Sequence, residues 1–152
     1  MNGSFQRKLK KAKEISKTVD LIWVSLDYHT SYHDQLRGRS GIFKKALEGI
    51  IKTRLAGGRV AINCIISNLN MNAINKIAAL AQRLNVNIAF DPMKIFLRIN
   101  EEYALTNDEK EKAFSEIKKL RNNGYPILNS KEFIDCNLGT FTYSCKQPKV
   151  FY

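Results

Sequence analysis

The chain has 152 residues, and its 25 Lys and Arg against 14 Asp and Glu give a net charge of +11. That length corresponds to about one domain and falls short of the ~250 residues of a complete β/α barrel. No apolar run of ~18 residues occurs, so no membrane-spanning helix is expected, and the start, Met1 to Lys8, lacks a secretory apolar segment, so a cytoplasmic location is the expectation.

Phe5, Leu9, Ala12 and Ile15 recur at three- and four-residue steps and predict an amphipathic helix, with Asn2-Gly3-Ser4 as its turn and cap. Arg7, Lys8, Lys10, Lys11, Lys13 and Lys17 fall on it. A solvated helix face accounts for them, and attraction to nucleic acid or another polyanion is the functional alternative. No aromatics interleave these cations, so no base-stacking platform is indicated. Leu21 to Asp27 is nearly continuously apolar, the pattern of a strand buried on both faces of a parallel sheet. The polar segment 28–41 reads as a loop holding His29, His33, Asp34, Arg37 and Arg39, and long loops often carry function.

Phe43, Ala46, Leu47, Ile50, Ile51 and Leu55 predict a second helix, stopped by Gly57-Gly58. Arg59 to Ser67 predicts a second strand, Asn68 to Asn72 a loop with capping side chains, and Ile74, Ile77, Ala78, Ala81 and Leu84 a third helix. Val86 to Phe90 is a third strand, closed by Asp91-Pro92. This alternation predicts right-handed crossovers and a parallel sheet, with ligands beyond the carboxyl ends of the strands, here Ser25–Asp27, Ser67–Asn70 and Asp91–Met93. Lys94 to Ile99 is a short strand or extended loop. Thr106 with Glu109 forms a capping box for a helix carrying Ala113, Phe114, Ile117 and Leu120. Tyr125-Pro126-Ile127 is extended, Ser130 caps a short turn through Ile134, and Lys149 to Tyr152 reads as a strand cut short.

Single residues carry little chemistry. His29 and His33 share a helical spacing but have no third ligand, and surface histidines account for them. No G-x-x-x-x-G-K phosphate loop is present. Cys64, Cys136 and Cys145 form neither a C-x-x-C pair nor a disulfide framework, and Cys64 fits a small buried apolar position.

The order of motifs says more. Val24-Ser25-Leu26-Asp27 precedes His33-Asp34-x-x-Arg37-Gly38-x-x-Gly41-x-Phe43. A helix, Gly57-Gly58, Val60-x-Ile62-Asn63-x-Ile65-Ile66 with Asn70, a further helix and Val86-x-Ile88-x-Phe90-x-Pro92 complete the run. The run resembles the radical S-adenosylmethionine (radical SAM) enzymes, whose (β/α)6 partial barrel it matches over strands four to six. Asn2-Gly3 is similar to the end of that family's Thr-Asn-Gly after strand three, with Met1 in the Thr position. Gly124 to Ser130 and Phe141 to Cys145 are similar to the segment leading into the family's C-terminal extension. The resemblance implies an α/β fold of about three βα units in residues 1–100, followed by a helical and extended segment in 101–152.

The same resemblance implies a site. In the family the Ser-x-Asp strand end lies beside SAM, pointing to Ser25 with Asp27. A polar residue of strand five contacts cofactor or substrate, matching Asn63. Residues after strand six flank the adenine, here Phe90, Pro92 or Met93. Hydrogen-bonded polar residues inside a narrow barrel are the competing account of Ser25 and Asn63. Cys145 matches a position that in some members begins an auxiliary-cluster set. The C-x-x-x-C-x-x-C loop that holds the family's [4Fe–4S] cluster is absent, as is the glycine-rich segment for the SAM amino group, and the three cysteines present are too scattered to replace it. The expectation is therefore a radical SAM fragment, inactive alone, whose amino-terminal barrel half lies elsewhere in the same gene or in a split partner. The edge at Leu21–Asp27 should then be open. A basic α/β module for nucleic acid or another polyanion is the alternative. The sequence does not indicate a substrate.

Overall fold

The computed structural model describes residues 3–95 and 100–142. Met1, Asn2, residues 96–99, Cys145 and the tail through Tyr152 lie outside them, and with them the expectations for the Thr-Asn-Gly end, part of the 94–99 segment, the auxiliary-cluster cysteine and the cut strand.

The elements run α1 (Gly3–Ser16), β1 (Ile22–Ser25), α2 (Tyr32–Leu36), α3 (Ile42–Leu55), β2 (Val60–Ile66), a 3-10 turn (Met71–Ala73), α4 (Ile74–Arg83), β3 (Asn87–Pro92), a second 3-10 turn (Glu101–Tyr103), α5 (Asn107–Asn122) and α6 (Lys131–Asn137). The three strands form one parallel sheet in the order β1-β2-β3. Ile22 pairs with Val60 and Ser25 with Asn63, while Asn63 pairs with Ala89 and Ile66 with Pro92.

Alternation along the strands sorts the side chains onto two faces. Val60, Ile62, Cys64, Ile66, Ile88 and Phe90 point to the helices and are buried, together with Ile50 of α3, Ile77 and Ala81 of α4, and Phe114 and Ile117 of α5. Ile127 and Ile134 join the same core, so the carboxyl-terminal helices close over the sheet. The opposite face holds Trp23, Ser25, Ala61, Asn63, Ile65, Ala89 and Asp91. The expectation that β1 is buried on both faces is corrected here, since Trp23 is 51% exposed. All the packed helices described lie on the other side, and apolar β1 residues on the helix face alone are covered.

The segment 28–41 is not all loop: it contains α2, and His33 is 2% exposed rather than a surface histidine. This short helix has a structural task. Gly41, at φ +77, has no side chain with which to cap α3. The Asp34 carboxylate does so instead, accepting from the amides of Gly41 at 2.5 Å and Phe43 at 2.7 Å. Those bonds, Phe43's first, hold the Asp34 carboxyl below its usual range. On α3, Ile51 and Leu55 face outward.

The two sheet edges differ. Beyond β3, Ile88 donates to the carbonyl of Pro126 at 2.9 Å and accepts from Leu128 at 2.8 Å, a one-residue parallel bridge through Ile127. Two residues on, the Asn129 side chain imitates a strand. Its Oδ1 accepts from the Phe90 amide at 2.8 Å and its Nδ2 donates to the Phe90 carbonyl at 2.9 Å. No described residue covers β1 in this way. The capping box at Thr106 and Glu109 is present, and Ser130 caps the full helix α6 by accepting from Phe133 at 3.1 Å.

Candidate functional site

The carboxyl ends of β1 and β2 are tied together through Asp27. Its Oδ1 accepts from the Ile65 amide at 3.0 Å, and its Oδ2 accepts from Arg37 Nε. Its amide donates to His33 Nδ1 at 3.1 Å, and its carbonyl accepts from Asn70 Nδ2 at 2.8 Å. Asn70, 2% exposed, also donates to the Ile65 carbonyl at 2.8 Å and accepts from the Ser67 amide at 2.8 Å. A buried carboxylate needs this many partners, because an unpaired one is costly to desolvate. Asp27, expected at the cofactor, thus spends its carboxylate on holding the strand ends in register.

His33 accepts at Nδ1, which leaves its proton on Nε2 and the ring neutral. Burial lowers its pKa, outweighing the upward pull of Asp27. The pairing of His29 and His33 as metal ligands is not realised, since His33 Nδ1 is engaged. His29 stacks on Tyr28 with ring centroids 4.7 Å apart, and burial first, then Lys76, lowers its pKa.

Beside this knot lies a cleft of about 460 Å³, lined by Asp27, Tyr32, Arg37, Ser67, Met93 and Tyr103 among others. Its size falls within the range of small-molecule sites, and its position beyond the carboxyl strand ends is where α/β sheets take ligands. The Arg37 side chain is 38% exposed, so its guanidinium is held from behind by Asp27 while the rest meets solvent. A second cavity of about 420 Å³ lies at the amino ends, lined in part by Leu21, Arg54, Arg59 and Asn87. That end is the one that serves stability in β/α folds.

The expected site residues divide. Ser25 and Asn63 are register partners on the open face, and Asn63 Oδ1 is buried without a hydrogen-bond partner. Met93 lines the cleft, and its amide donates to the Ile66 carbonyl at 2.8 Å. Pro92 ends β3 half-buried. Phe90 points the other way, fully buried among the helices, because it is in register with Cys64 on the core face. The sequence points to Arg37 as a loop and motif residue without a role at the cleft, and the buried state of Asn70 has no local signal.

Cys64 is buried, and burial pushes its thiol well up. Cys136 is half-buried on α6. Among the described residues no three His, Cys, Asp or Glu are placed to hold a metal ion. Cys64 and Cys136 therefore do not fit an iron–sulfur cluster, whereas the orphaned Asn63 oxygen and the cleft, whose lining mixes polar and apolar groups, fit an organic ligand with polar groups. No described helix is long and apolar enough to cross a membrane.

The open sheet, with helices on one face and a cleft at its carboxyl edge, matches part of a radical SAM fold. The solved structures it matches include those of anSMEcpe, a radical SAM anaerobic sulfatase maturase. With AdoMet and the Cp18Cys peptide bound, that protein superposes at TM-score 0.66 and 16% identity, over 90% of this chain and 42% of its own. With AdoMet alone the values are 0.63 and 17%, over 90% and 41%. With AdoMet and the Kp18Cys peptide they are 0.62 and 17%, over 90% and 41%. The chain thus spans less than half the length of these structures. No family model matches the sequence, and no curated protein sequence matches it.

Proposed function

We propose that this chain forms the SAM- and substrate-facing walls of a radical SAM reaction centre, as strands four to six of the barrel, with residues 101–152 starting the C-terminal extension. The superposition on AdoMet-bound structures over 90% of the chain carries this reading. The orphaned Asn63 Oδ1 supports it locally, because a buried amide oxygen without a partner calls for a donor from outside the chain. Ser25 and Asn63 bind the ligand from the open face, and Met93 does so from the cleft. Arg37, oriented by Asp27, offers its remaining N–H groups to an anionic group such as a carboxylate. Bound to these walls, SAM would supply hydrogen-abstraction chemistry to the complete centre, the electron that cleaves it coming from the [4Fe–4S] cluster rather than from side chains. The [4Fe–4S] ligands come from the amino-terminal half of the barrel, outside these residues.

The test is anaerobic iron reconstitution of the chain, followed by absorption and electron paramagnetic resonance spectra and a SAM-cleavage assay. SAM binding without a four-iron signal is expected. A stable four-iron signal with SAM cleavage by these residues alone overturns the proposed division of labour, and absence of any SAM binding removes the wall assignment.

The basic face of α1 favours a second reading, a polyanion-binding module, because Arg7, Lys8, Lys10, Lys11 and Lys13 are all exposed. RNA or DNA binding that falls steeply with salt supports it, and no binding at low salt removes it.

A further inference from the structure

Two carboxylates stand at the carboxyl ends of the strands, and they are used differently. Asp27 is spent within the fold, accepting from the Ile65 amide and from Arg37. Asp91, half-buried near the end of β3, makes no side-chain hydrogen bond and no ion pair among the described residues. Lys94, the next cation along the chain, leaves it unpaired. Register fixes where Asp91 lies. It is opposite Ile65 of β2, and Asn63 is opposite Ala89, so all four share the open face. Strand spacing of ~4.8 Å and a two-residue rise of ~6.6 Å put the Cα atoms of Asn63 and Asp91 roughly 8 Å apart. Ile65 also lines the cleft that Arg37 borders, with Arg37 on its β1 side and Asp91 on its β3 side. The other strand residues of this face, Trp23, Ser25, Ala61, Asn63, Ile65 and Ala89, include no cation. Water does not screen the Asp91 charge out: after burial and Asp27, it too pushes the Cys64 thiol up.

We propose that Asp91 is the substrate-selecting residue of this face and takes a primary alkylammonium group, while Ser25 and Asn63 hold SAM beside it. This names a substrate class for the wall function proposed above and rests on it. A ligand covering the face dries Asp91, and a carboxylate dried without a countercharge is the costly state, so the ligand that fits brings a positive charge. A hydroxyl leaves that charge uncompensated, and an anion is repelled. A compact ammonium provides three donors and needs no planar fork opposite it. Ala89 and Ile65 are apolar neighbours for its carbon stem. The net charge of +11 does not oppose this locally. The cations of α1 sit on a helix packed against α3, across the sheet from the open face, and screening acts over about 8 Å at physiological salt.

The experiment titrates the 152-residue chain, with and without SAM, and follows the Asp91 carboxyl carbon by NMR. The probes are Nα-acetyl-lysine methylamide, n-butylammonium and, as the uncharged control, Nα,Nε-diacetyl-lysine methylamide. Both charged probes should bind and shift the Asp91 signal, and the control should not. Asp91→Asn, checked for folding by circular dichroism, should weaken both charged probes about tenfold and leave SAM affinity unchanged. Tighter binding of the lysine amide supports the site with a peptide side chain as the source of the amine, and equal binding supports it with a free amine. Equal binding of the control, no binding of the charged probes, or undiminished binding to Asp91→Asn overturns the proposal. Lower SAM affinity in Asp91→Asn gives the carboxylate to the cofactor, which overturns the proposal and leaves the wall function standing. Charged-probe binding at Asp91 with no SAM binding supports the amine site and removes the wall function.

Discussion

The Asp27 amide donates to His33 Nδ1 at 3.1 Å, and this one bond both ends the free edge of β1 and fixes the tautomer of a buried histidine.

Burial of that histidine makes stability depend on pH. The pKa of His33 is lowered on folding, so below its ordinary value of 6.5 the unfolded chain binds more protons than the folded one. The contribution is full above pH 6.5 and shrinks as pH falls below it. His29, also lowered, acts in the same direction. Urea melts at pH 7.5 and 5.5 should show a lower midpoint at the acid value. His33→Asn, which keeps an acceptor near the Nδ1 position, should reduce that difference and leave His29 to supply the remainder. His33→Leu orphans the Asp27 amide and should cost ~1–3 kcal/mol at neutral pH.

Asn70 joins two strand ends with one amide. Asn70→Ala leaves the Ser67 amide and two carbonyls short of a partner, and should lower unfolding free energy by ~2 kcal/mol. Asn70→Asp should be worse at neutral pH, because a carboxylate cannot donate to the Asp27 and Ile65 carbonyls. The gap between the two variants should narrow in acid, as measured by denaturant titration at both pH values.

Gly58 is required by a close approach. A Cβ there would lie 2.2 Å from Ser16 Oγ, 2.8 Å from Ser16 Cβ and 3.0 Å from Thr53 Cγ2. Gly58→Ala should destabilise by ~1–3 kcal/mol through overpacking. Adding Ser16→Gly removes the two closest atoms, so the double variant should regain part of that loss. Simple additivity in the thermal melts would contradict the contact.

Ligand binding separates the two faces of the sheet. Ser25→Ala and Asn63→Leu should weaken SAM binding by calorimetry while leaving the melt nearly unchanged. Phe90→Ala should cost ~3–5 kcal/mol of stability, as a core truncation. Equal loss of SAM affinity from folded Phe90→Leu and from Asn63→Leu would restore Phe90 to the ligand side.

Much of the sheet was legible because Val60–Ile66 and Val86–Phe90 combine apolar runs with glycine and polar breaks at both ends. The helix α2 was not, because the five residues from Tyr32 to Leu36 are too few to show a periodic stripe. Ser25 and Asn63 were named through the family resemblance, and they share a face. Asp27 and Asn70 show the limit of local pattern. Asp27 meets Ile65 and Asn70 across 38 and 43 positions, and nothing near Asp27 in the chain distinguishes a strand-end staple from a ligand contact. Trp23 was expected to be buried because apolar composition alone does not tell whether both faces of a strand have a cover.

Asn129 has a consequence for assembly. By pairing both backbone groups of Phe90 with its own amide, it blunts the β3 side of the sheet, so among the described residues only the β1 side keeps a bare rim. A sheet with two bare rims can polymerise end to end without limit, but one with a single bare rim saturates after one encounter. Two chains meeting through such rims would stop at a pair, and replacing Asn129 would open the second rim.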